Sequence, residues 1–390
     1  MIKAIKIKLY PTRHQEELMF KSASVARFSY NWGLAFLNNY YKEKNRRLSI
    51  SELRKEFTKL RNNNANSWLK EVSSEIPQQA LKDLGESFNK FYNKKSSYPR
   101  FKKKGKTEIS FFHLNNKFIV KDNKVKLEKI GYVKMNDEGR LPVGNYKKDK
   151  IKVLNPRIKF NGKFWYLSLA LEVKEIKKQE LTNISIGVDL GIRNLAIVSN
   201  IDKPFKNINK SKEVKRLNKK LKIIQRKVSR KYDMLKSGSS FKKGVKLTKT
   251  QNIIKLEKQI KLVHKRIADI RLNYIHQTTN SIVKTKPYRV VVEDLNVKGL
   301  MRNKHLSKAI SEQCFNKFIT ILEYKCKWNG IEFVKADRFF PSSKMCSCCG
   351  TINKDLKLKD RTYICSNPKC NLVIDRDKNA SINLANYKLA

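Results

Sequence analysis

The chain has 390 residues, enough for two or three domains with a substantial hydrophobic core. Its 87 Lys and Arg residues against 34 Asp and Glu give a formal net charge of +53, which is typical of proteins that bind a polyanion, most often nucleic acid. Hydrophobic residues make up 40% of the chain, which argues against a disordered basic tail. No apolar run approaches the roughly 20 residues that span a bilayer, and the first residues lack a signal-peptide core, so neither a membrane partner nor secretion is expected.

The first half of the chain changes from helical to strand periodicity. Residues 1–10 alternate apolar and basic side chains, which predicts a half-buried strand. Within residues 13–92 apolar side chains recur every three or four positions, which predicts helices. Residues 98–175 contain short β-rich runs, and Asn161-Gly162 predicts a type I′ hairpin turn between two of them. Several short strands favour a small barrel that the N-terminal strand could complete.

The second half of the chain alternates predicted strands and helices, the pattern of an α/β fold. Two strands are predicted within residues 184–200, and a third in the run YRVVVEDLN. A helix near residues 304–328, a strand in the run IEFVKADRFF and a short final helix from about residue 378 complete this half.

The most basic stretch is residues 201–290, which hold 27 Lys and Arg against five Asp and Glu. Apolar residues nevertheless recur there at alternating spacings of three and four, within 214–228 and again within 253–274. With a Ser- and Gly-containing loop at residues 235–244 between them, the two stripes predict an antiparallel helical hairpin. The stripes are expected to pack together, and the basic faces around them could hold a phosphate backbone.

Five of the seven cysteines lie within residues 346–370. The four candidate metal ligands are Cys346, Cys349, Cys365 and Cys370. Two thiolate pairs are typical of tetrahedral structural zinc, and four protein ligands leave no open position for catalysis. Cys348 is an alternative ligand to Cys349, with a spacing that makes a poorer chelating turn. Cys314 and Cys326, in a predicted helix, are expected to be core thiols.

Three dispersed carboxylates form a second candidate site. Asp189 lies in the apolar run SIGVDLG, Glu293 follows the run RVVV, and Asp377 stands at the start of the final helix. Each of them alone could be a cap or a surface residue. Acidic residues in a surface that binds a polyanion would repel it unless divalent cations lay between them. The set therefore predicts two Mg²⁺ ions about 3.5–4 Å apart that promote hydrolysis of a phosphodiester.

Four segments of the chain carry a family resemblance: IGVDLGIRNLAIVS, VVVEDLNVKGL, DRFFPSSKMCSCCG and DRDKNASIN. They resemble the successive signatures of the TnpB family, also called OrfB, which bacterial and archaeal insertion sequences encode. The resemblance implies an RNA-guided DNA endonuclease related to the type V CRISPR effectors, in the prokaryotic cytoplasm. A guide RNA from the transposon end would pair with one strand of a double-stranded DNA target, beside a short transposon-adjacent motif that the protein reads. This activity would support transposition or retention of the element.

The resemblance also implies a multi-domain α and β fold. The expected parts are a β-barrel domain of the wedge type at 1–11 and 98–180, a helical recognition lobe at 12–97, an RNase H-like (RuvC) nuclease domain at 181–342 and 374–390 with the helical hairpin inserted at 210–280, and a zinc ribbon at 343–373. The nuclease domain would carry the chemistry.

By the same resemblance Asp189, Glu293 and Asp377 fall on the family's catalytic triad and would bind the magnesium ions. Asp375 competes with Asp377, since the run DRD offers both. We prefer Asp377 because it shares a helix face with apolar residues that would pack on the sheet bearing Asp189. Asp377 could also serve as the helix N-cap. Asp294 is expected on the opposite side of its strand, in a structural role.

Some features leave alternatives open. Segment 94–106 combines Tyr98 and Phe101 with six Lys and one Arg, and it is either a nucleic-acid contact or a solvated linker. Phe28, Tyr30 and Trp32 are expected in a helical core rather than in a base-stacking platform. Two other functions are also compatible with the sequence. One is a transposase that joins DNA strands with the same triad, and the other is an RNA-bound DNA-binding repressor without cleavage.

Overall fold

The computed structural model divides the chain into two compact units, Met1–Glu175 and Ile176–Ala390. The residues that the structure describes are 2–137, 139, 141, 152–172, 180–237, 248–357 and 359–388. Within those residues, no helix is both long and apolar enough to cross a lipid bilayer.

The first unit starts with a strand that leads into helices, as the periodicity of this region predicts. Their bounds are β1 (Ile2–Tyr10), α1 (Arg13–Lys44), α2 (Ile50–Asn62), a 3-10 segment (Asn64–Lys70) and α3 (Glu75–Tyr92). Thr12 and Ser49 form capping boxes that satisfy the first amides of α1 and α2. Phe28 and Trp32 pack against the hydrophobic core and Tyr30 is buried in it, so the prediction of core roles is confirmed.

An antiparallel sheet of seven strands completes the first unit, in the order β2-β6-β7-β1-β5-β4-β3. The further strands are β2 (Ile109–Phe112), β3 (Ile119–Lys121), β4 (Lys124–Leu127), β5 (Gly131–Asn136), β6 (Lys152–Phe160) and β7 (Trp165–Glu172). The predicted N-terminal strand is confirmed, and it lies at the centre of the sheet because its alternating apolar residues Ile5, Ile7 and Leu9 face the core. Closure of the sheet into a barrel stays a prediction.

The hairpin between β6 and β7 forms, but the predicted type I′ turn at Asn161-Gly162 is wrong. The backbone amide of Asn161 donates to the carbonyl oxygen of Phe164 at 3.1 Å, so Gly162 and Lys163 occupy the centre of the turn. Gly162 has a φ of 95°, which suits the first central position of a type II′ turn. The side chain of Asn161 accepts hydrogen bonds from the amides of Lys163 and Phe164, which shifts the turn by one residue.

The second unit is built around a mixed sheet of five strands in the order β10-β9-β8-β11-β12. The strands are β8 (Thr182–Leu190), β9 (Asn194–Val198), β10 (Phe205–Lys206), β11 (Pro287–Glu293) and β12 (Glu332–Ala336). β11 runs parallel to both β8 and β12, whereas β9 is antiparallel to its two neighbours. A hairpin of β13 (Thr362–Ile364) and β14 (Val373–Asp375) lies near the carboxyl end. The predicted α/β fold of this half is confirmed.

Helices pack on both faces of this sheet. The helices of this unit are α4 (Lys212–Ser237), α5 (Gln251–Lys284), α6 (Val297–Leu300), α7 (Ser307–Gln313), α8 (Phe315–Trp328) and α9 (Arg376–Ala385), of which α5, α8 and α9 cover the sheet. One face packs against α5 and α8 through a core that contains Val188, Val292 and Phe318. The other face meets α9, where Val291 contacts Leu384.

The predicted helical hairpin of the basic stretch is confirmed as α4 and α5. Their apolar stripes form a separate core that includes Val214, Leu221 and Ile267. Residues 238–247, most of the loop predicted between the two helices, lie outside the described residues.

The single helix predicted near residues 304–328 is wrong, because Cys314 divides it into α7 and α8. Cys314 has a left-handed φ of 56°, which interrupts the helix. The break accompanies a buried contact of Gln313, whose amide donates to the carbonyl oxygens of Gly191 and Ile192 directly after β8. Cys314 and Cys326 both pack in the core of this unit, as predicted.

Candidate carboxylate site and cysteine cluster

Two of the three candidate carboxylates lie at the ends of neighbouring parallel strands. Val188 of β8 is level with Val292 of β11, so the following residues, Asp189 and Glu293, are level with each other. Side chains alternate between the two faces along a strand, so both carboxylates point to the same face of the sheet. The register between β8 and β11 therefore brings together Asp189 and Glu293, which are about a hundred positions apart in the sequence.

The third carboxylate comes to the same face on α9. A Cβ atom at Gly187 would lie 1.9 Å from the carbonyl oxygen of Ser381, so α9 contacts the β8 backbone where no side chain intervenes. Gly187 is two residues before Asp189 and therefore marks the same face of the strand. Asp377 lies in the first turn of α9, whose apolar face packs on this sheet as predicted.

The three carboxylates interact electrostatically. Burial is the main cause that raises the pKa of Asp189 to about 8, and the charges of Asp377 and Glu293 contribute, while Arg376 opposes them. Burial also raises the pKa of Glu293. All three residues keep part of their surface accessible to solvent. Asp189 therefore tends to hold a proton at neutral pH, and a divalent cation would displace that proton.

The three carboxylates do not converge on a single point. Among the residues that the structure describes, the cysteine set is the only group of three or more potential ligands whose donor atoms come together closely enough for one metal ion. Like charges repel one another when no cation lies between them. A pair of ions about 3.5–4 Å apart also needs ligands spread over a wider region than a single ion does.

Asp375 and Asp377 have different positions at the start of α9. The carboxylate of Asp375 accepts hydrogen bonds from the backbone amides of Asp377 and Lys378 at 3.0 Å each, so Asp375 is the N-cap. The suggestion that Asp377 could be this cap is therefore wrong. The carboxylate of Asp377 lies 3.5 Å from Nε of Arg376, and its charge affects Asp189 more than that of Asp375 does.

Asp294 follows Glu293 and has a partner of its own. Its carboxylate accepts a hydrogen bond from the guanidinium of Arg338 at 2.6 Å, at a partly exposed position. This ion pair links the end of β11 to the loop after β12, which agrees with the structural role predicted for Asp294.

The four predicted cysteine ligands come together in space. The sulfur atoms of Cys346, Cys349, Cys365 and Cys370 all lie within 4.8 Å of one another. Two of the sulfur–sulfur distances are 3.7 Å, between Cys346 and Cys370, and 3.5 Å, between Cys349 and Cys365. Tetrahedral zinc with Zn–S bonds of about 2.3 Å places its sulfurs about 3.8 Å apart, so the cluster fits such an ion. Cys348 is exposed and is not part of this set.

Cys349 has a lowered pKa, whereas the pKa values of Cys365 and Cys370 in the same cluster are raised. The sulfur of Cys349 forms a hydrogen bond with the hydroxyl group of Thr351 at 3.3 Å, which is the main cause that lowers the pKa of Cys349 to about 6. The thiolate is the form that binds metal, so this ligand requires little deprotonation at neutral pH.

Residues that hold α9 in place were missed in the sequence. The ammonium group of Lys378 donates to the carbonyl oxygens of Val198, Ser199 and Ile201, at the end of β9. Asn379 and Asn383 hydrogen-bond to the chain beside Cys346. Their i,i+4 spacing in a short helix is the signal that could have identified them, since Asn is a poor residue for a helix interior.

The basic segment 94–106 lies in the first unit. Tyr98 and Phe101 are about half exposed and line a cavity of about 760 Å³ together with Lys42 and Arg47. The hydroxyl group of Tyr98 hydrogen-bonds to the side chain of Asn38 at 2.7 Å. The segment is thus anchored to α1, while its aromatic rings stay accessible beside cationic side chains.

Three family models match parts of the chain. One described as "Probable transposase" (OrfB_IS605) matches residues 168–304, one described as "Cas12f1-like, TNB domain" matches residues 315–384, and one described as "Helix-turn-helix domain" matches residues 1–46. The last of these segments folds here as β1 and the single long helix α1.

Two curated relatives match the whole chain, and a third matches part of it. A Streptomyces pristinaespiralis protein is 32% identical over 100% of this chain and 90% of its own length, and an Escherichia coli K12 protein, InsQ, is 25% identical over 100% of this chain and 92% of its own length. Both carry the name "Putative RNA-guided DNA endonuclease". A Micrarchaeota archaeon protein, the CRISPR-associated endodeoxyribonuclease Cas12f2, is 25% identical over 59% of this chain and 41% of its own length.

One solved structure has the same overall fold. It is the cryo-EM structure of a Cas12f1–sgRNA–target DNA complex, which matches with a TM-score of 0.60 at 14% sequence identity and covers 99% of this chain and 98% of the solved chain. The fold likeness, the full-length relatives and the ordered motifs agree with one another. The chain belongs to the TnpB (OrfB) family, which is related to the type V CRISPR effectors.

Proposed function

We propose that this protein is an RNA-guided, Mg²⁺-dependent DNA endonuclease of an insertion sequence. The observation that carries the proposal is the level placement of Asp189 and Glu293 on adjacent parallel strands, on the sheet face that packs against the helix with Asp377 in its first turn. Two full-length relatives carry the name of this activity. The mixed sheet with helices on both faces supports an RNase H-like (RuvC) nuclease domain for the second unit.

The chemistry follows from the carboxylates. Asp189, Glu293 and Asp377 would hold two Mg²⁺ ions, which supply an activated water and stabilise the charge that develops on the scissile phosphate. Because burial and its neighbours raise the pKa of Asp189 to about 8, this residue would lose its proton as the cations bind. The partial exposure of all three residues leaves room for a DNA strand to approach them.

The net charge of +53 supports nucleic acids as partners. We infer a guide RNA from the transposon end and a double-stranded DNA target beside a short transposon-adjacent motif. Base pairing would supply the sequence specificity, while the protein contacts the backbone and the helix shape. Cleavage would support transposition or retention of the element, and the reduced thiols of the cysteine cluster suit the prokaryotic cytoplasm.

The cysteine cluster would hold structural zinc, because its four thiolates leave no open coordination position. We also retain the proposed domain boundaries within the two units. They comprise a wedge-type barrel around a helical lobe in the first unit, and a nuclease domain with a zinc ribbon in the second.

Plasmid cleavage tests the proposal. The protein is purified with its RNA, the copurifying RNA is sequenced, and a plasmid that matches the variable end of this RNA is incubated with Mg²⁺ or with EDTA. We expect cleavage with Mg²⁺ and none with EDTA. Cleavage should be lost in Asp189→Ala, Glu293→Ala and Asp377→Ala. Asp294→Ala is the matched control, because Asp294 pairs with Arg338 outside the proposed triad. Cleavage by Asp189→Ala at the wild-type rate would show that the site is misassigned.

A further inference from the structure

Two buried asparagines connect α9 to the cysteine cluster. The amide of Asn379 donates to the carbonyl oxygen of Met345 at 2.7 Å, and its carbonyl oxygen accepts from the backbone amide of Ser347 at 2.9 Å. Asn383, one helical turn later, donates to the same carbonyl of Met345 at 2.6 Å and to that of Ser342 at 2.8 Å. Met345 and Ser347 are the two neighbours of Cys346.

Burial makes the hydrogen bonds between α9 and the chain around Cys346 costly to break. Asn379 has no exposed surface and Asn383 is 2% exposed, so neither side chain can replace a lost partner with water. An unsatisfied buried polar group is costly, and movement of the chain around Cys346 would therefore draw α9 with it. On its other side α9 is held by Lys378, which donates to carbonyls at the end of β9, and by its close approach to Gly187.

This linkage reaches the carboxylate site. Asn379 is two residues after Asp377, within the same first turns of a ten-residue helix. The position of Asp377 relative to Asp189 therefore depends on where the cysteine cluster places the chain around Cys346. A metal ion that draws four sulfurs together would set that position.

We propose that Asn379 and Asn383 are positioning residues that couple the metal bound by the cysteine cluster to the affinity of the carboxylate site for divalent cations. The inference rests on the proposed nuclease function and extends it, because it makes the structural metal a determinant of Mg²⁺ binding. Coupling between two sites is reciprocal, so Mg²⁺ would in turn strengthen retention of the metal at the cysteine cluster.

Two measurements on the full-length protein with its RNA test the proposal. The first is the Mg²⁺ concentration at half-maximal cleavage, separated from the maximal rate. The second needs no DNA cleavage: Fe²⁺ bound at the carboxylate site, with hydrogen peroxide added as oxidant and ascorbate as reductant, cuts the polypeptide beside it, and the measured quantity is the Mg²⁺ concentration that halves this scission. Zinc content is measured in every sample, so that the asparagine variants with an intact cysteine cluster are compared with that cluster filled.

For zinc-loaded Asn379→Ala we expect both concentrations to rise about tenfold, the usual effect of losing a residue that orients a metal ligand. Asn31→Ala is the matched control. Asn31 also exchanges one donor and one acceptor bond with backbone, at 2.9 and 2.7 Å to Lys102, but it lies in the first unit. It should change both concentrations less than about twofold.

A coupling cycle completes the test. Cys346→Ser/Cys349→Ser should raise both concentrations about tenfold, and adding Asn379→Ala in that background should then change them less than about twofold, because the coupling is already lost. If Asn379→Ala retains too little zinc, Asn383→Ala replaces it in the cycle.

Two outcomes would overturn the inference. One is a zinc-loaded Asn379→Ala protein with wild-type values for both Mg²⁺ concentrations. The other is a further rise of about tenfold in both concentrations when Asn379→Ala is added to Cys346→Ser/Cys349→Ser. Failure of the proposed function looks different, because wild-type protein would then show neither Mg²⁺-dependent cleavage nor Fe²⁺-directed scission that depends on Asp189.

Discussion

Asp189→Asn in the protein without Mg²⁺ is the perturbation that most directly examines the carboxylate site. The Asn side chain keeps the shape of the carboxyl group and removes its charge. Asp189 keeps part of its surface accessible to solvent but is largely enclosed by protein, and the carboxylates of Asp377 and Glu293 act on it, with Arg376 as the opposing cation. Removal of the Asp189 charge should therefore stabilise the folded protein wherever that charge is present.

The magnitude follows from the pKa of Asp189, which rises from 3.8 to about 8 on folding. Between these pH values the folded protein holds a proton that the unfolded chain has released, so the stability of the wild-type protein falls as the pH rises. From pH 5 to pH 8 the loss corresponds to about 4 kcal/mol, at about 1.4 kcal/mol per pH unit. Entry of water and local rearrangement reduce the expected loss to about 2 kcal/mol.

Urea denaturation of the second unit in Mg²⁺-free buffer, at several values between pH 5 and pH 8, measures this difference. Asp189→Asn has no proton to release, so its stability relative to wild type should increase by about 2 kcal/mol over this range. Addition of Mg²⁺ at pH 8 should stabilise the wild-type protein and leave Asp189→Asn unchanged. Asp294→Asn is the control and should follow the wild-type pH dependence. If Asp189→Asn also follows it, the reasoning about a buried carboxylate cluster is refuted.

Three further predictions concern packing, an ion pair and the net charge. Gly187→Ala should destabilise the second unit by about 1–3 kcal/mol in urea denaturation, because its Cβ would lie 1.9 Å from the Ser381 carbonyl oxygen. Gly191→Ala is the control, since its Cβ would meet its nearest atom at 3.3 Å, and it should destabilise the unit less. Arg157→Ala should destabilise the first unit by about 1–3 kcal/mol, because it removes the two hydrogen bonds of 2.7 and 2.8 Å that Arg157 donates to Asp83 and leaves this carboxylate with only the bond from Gln79. Asp83→Asn should recover part of the loss. Affinity for nucleic acid, measured by filter binding, should fall steeply and linearly on a log–log plot against salt concentration.

Each of these predictions has an outcome that contradicts it. Equal stability of Gly187→Ala and wild type would mean that α9 does not lie on the β8 backbone. A full-sized loss for Arg157→Ala that Asp83→Asn does not relieve would assign the effect to packing of the arginine rather than to the ion pair. An affinity for nucleic acid that does not change with salt concentration would show that the net charge of +53 does not contribute to nucleic-acid binding.

Local patterns in the sequence were sufficient for much of the fold. Alternation of apolar residues predicted β1, and stripes at spacings of three and four predicted α4 and α5, because one buried face imposes its period on any strand or helix. The cysteine ligands were also predictable, since chelation by a short turn restricts their spacing to a few residues. The carboxylates at 189, 293 and 377 were recognised from the apolar runs beside two of them and from the family resemblance.

Short-range signals failed where two local preferences competed. Asn161 and Gly162 both favour a turn. The side chain of Asn161 accepts hydrogen bonds from the amides of Lys163 and Phe164, and the centre of the turn therefore lies at Gly162 and Lys163. Asp375 and Asp377 could each cap a helix, and the strand β14 ends so that Asp375 takes this position. The helix break at Cys314 accompanies the hydrogen bonds of Gln313 to carbonyls more than a hundred residues away. The residues near Cys314 in the sequence do not predict such a distant contact.

What the amino-acid sequence alone determined is therefore the set of elements and the kinds of side chain that carry chemistry, because these depend on neighbours within a few residues. Tertiary structure alone decided that β8 and β11 lie side by side with Asp189 level with Glu293, and that α9 is held between this sheet and the cysteine cluster. Strand order and register depend on contacts between distant segments, whose free energy exists only once the whole sheet and its helices have packed together.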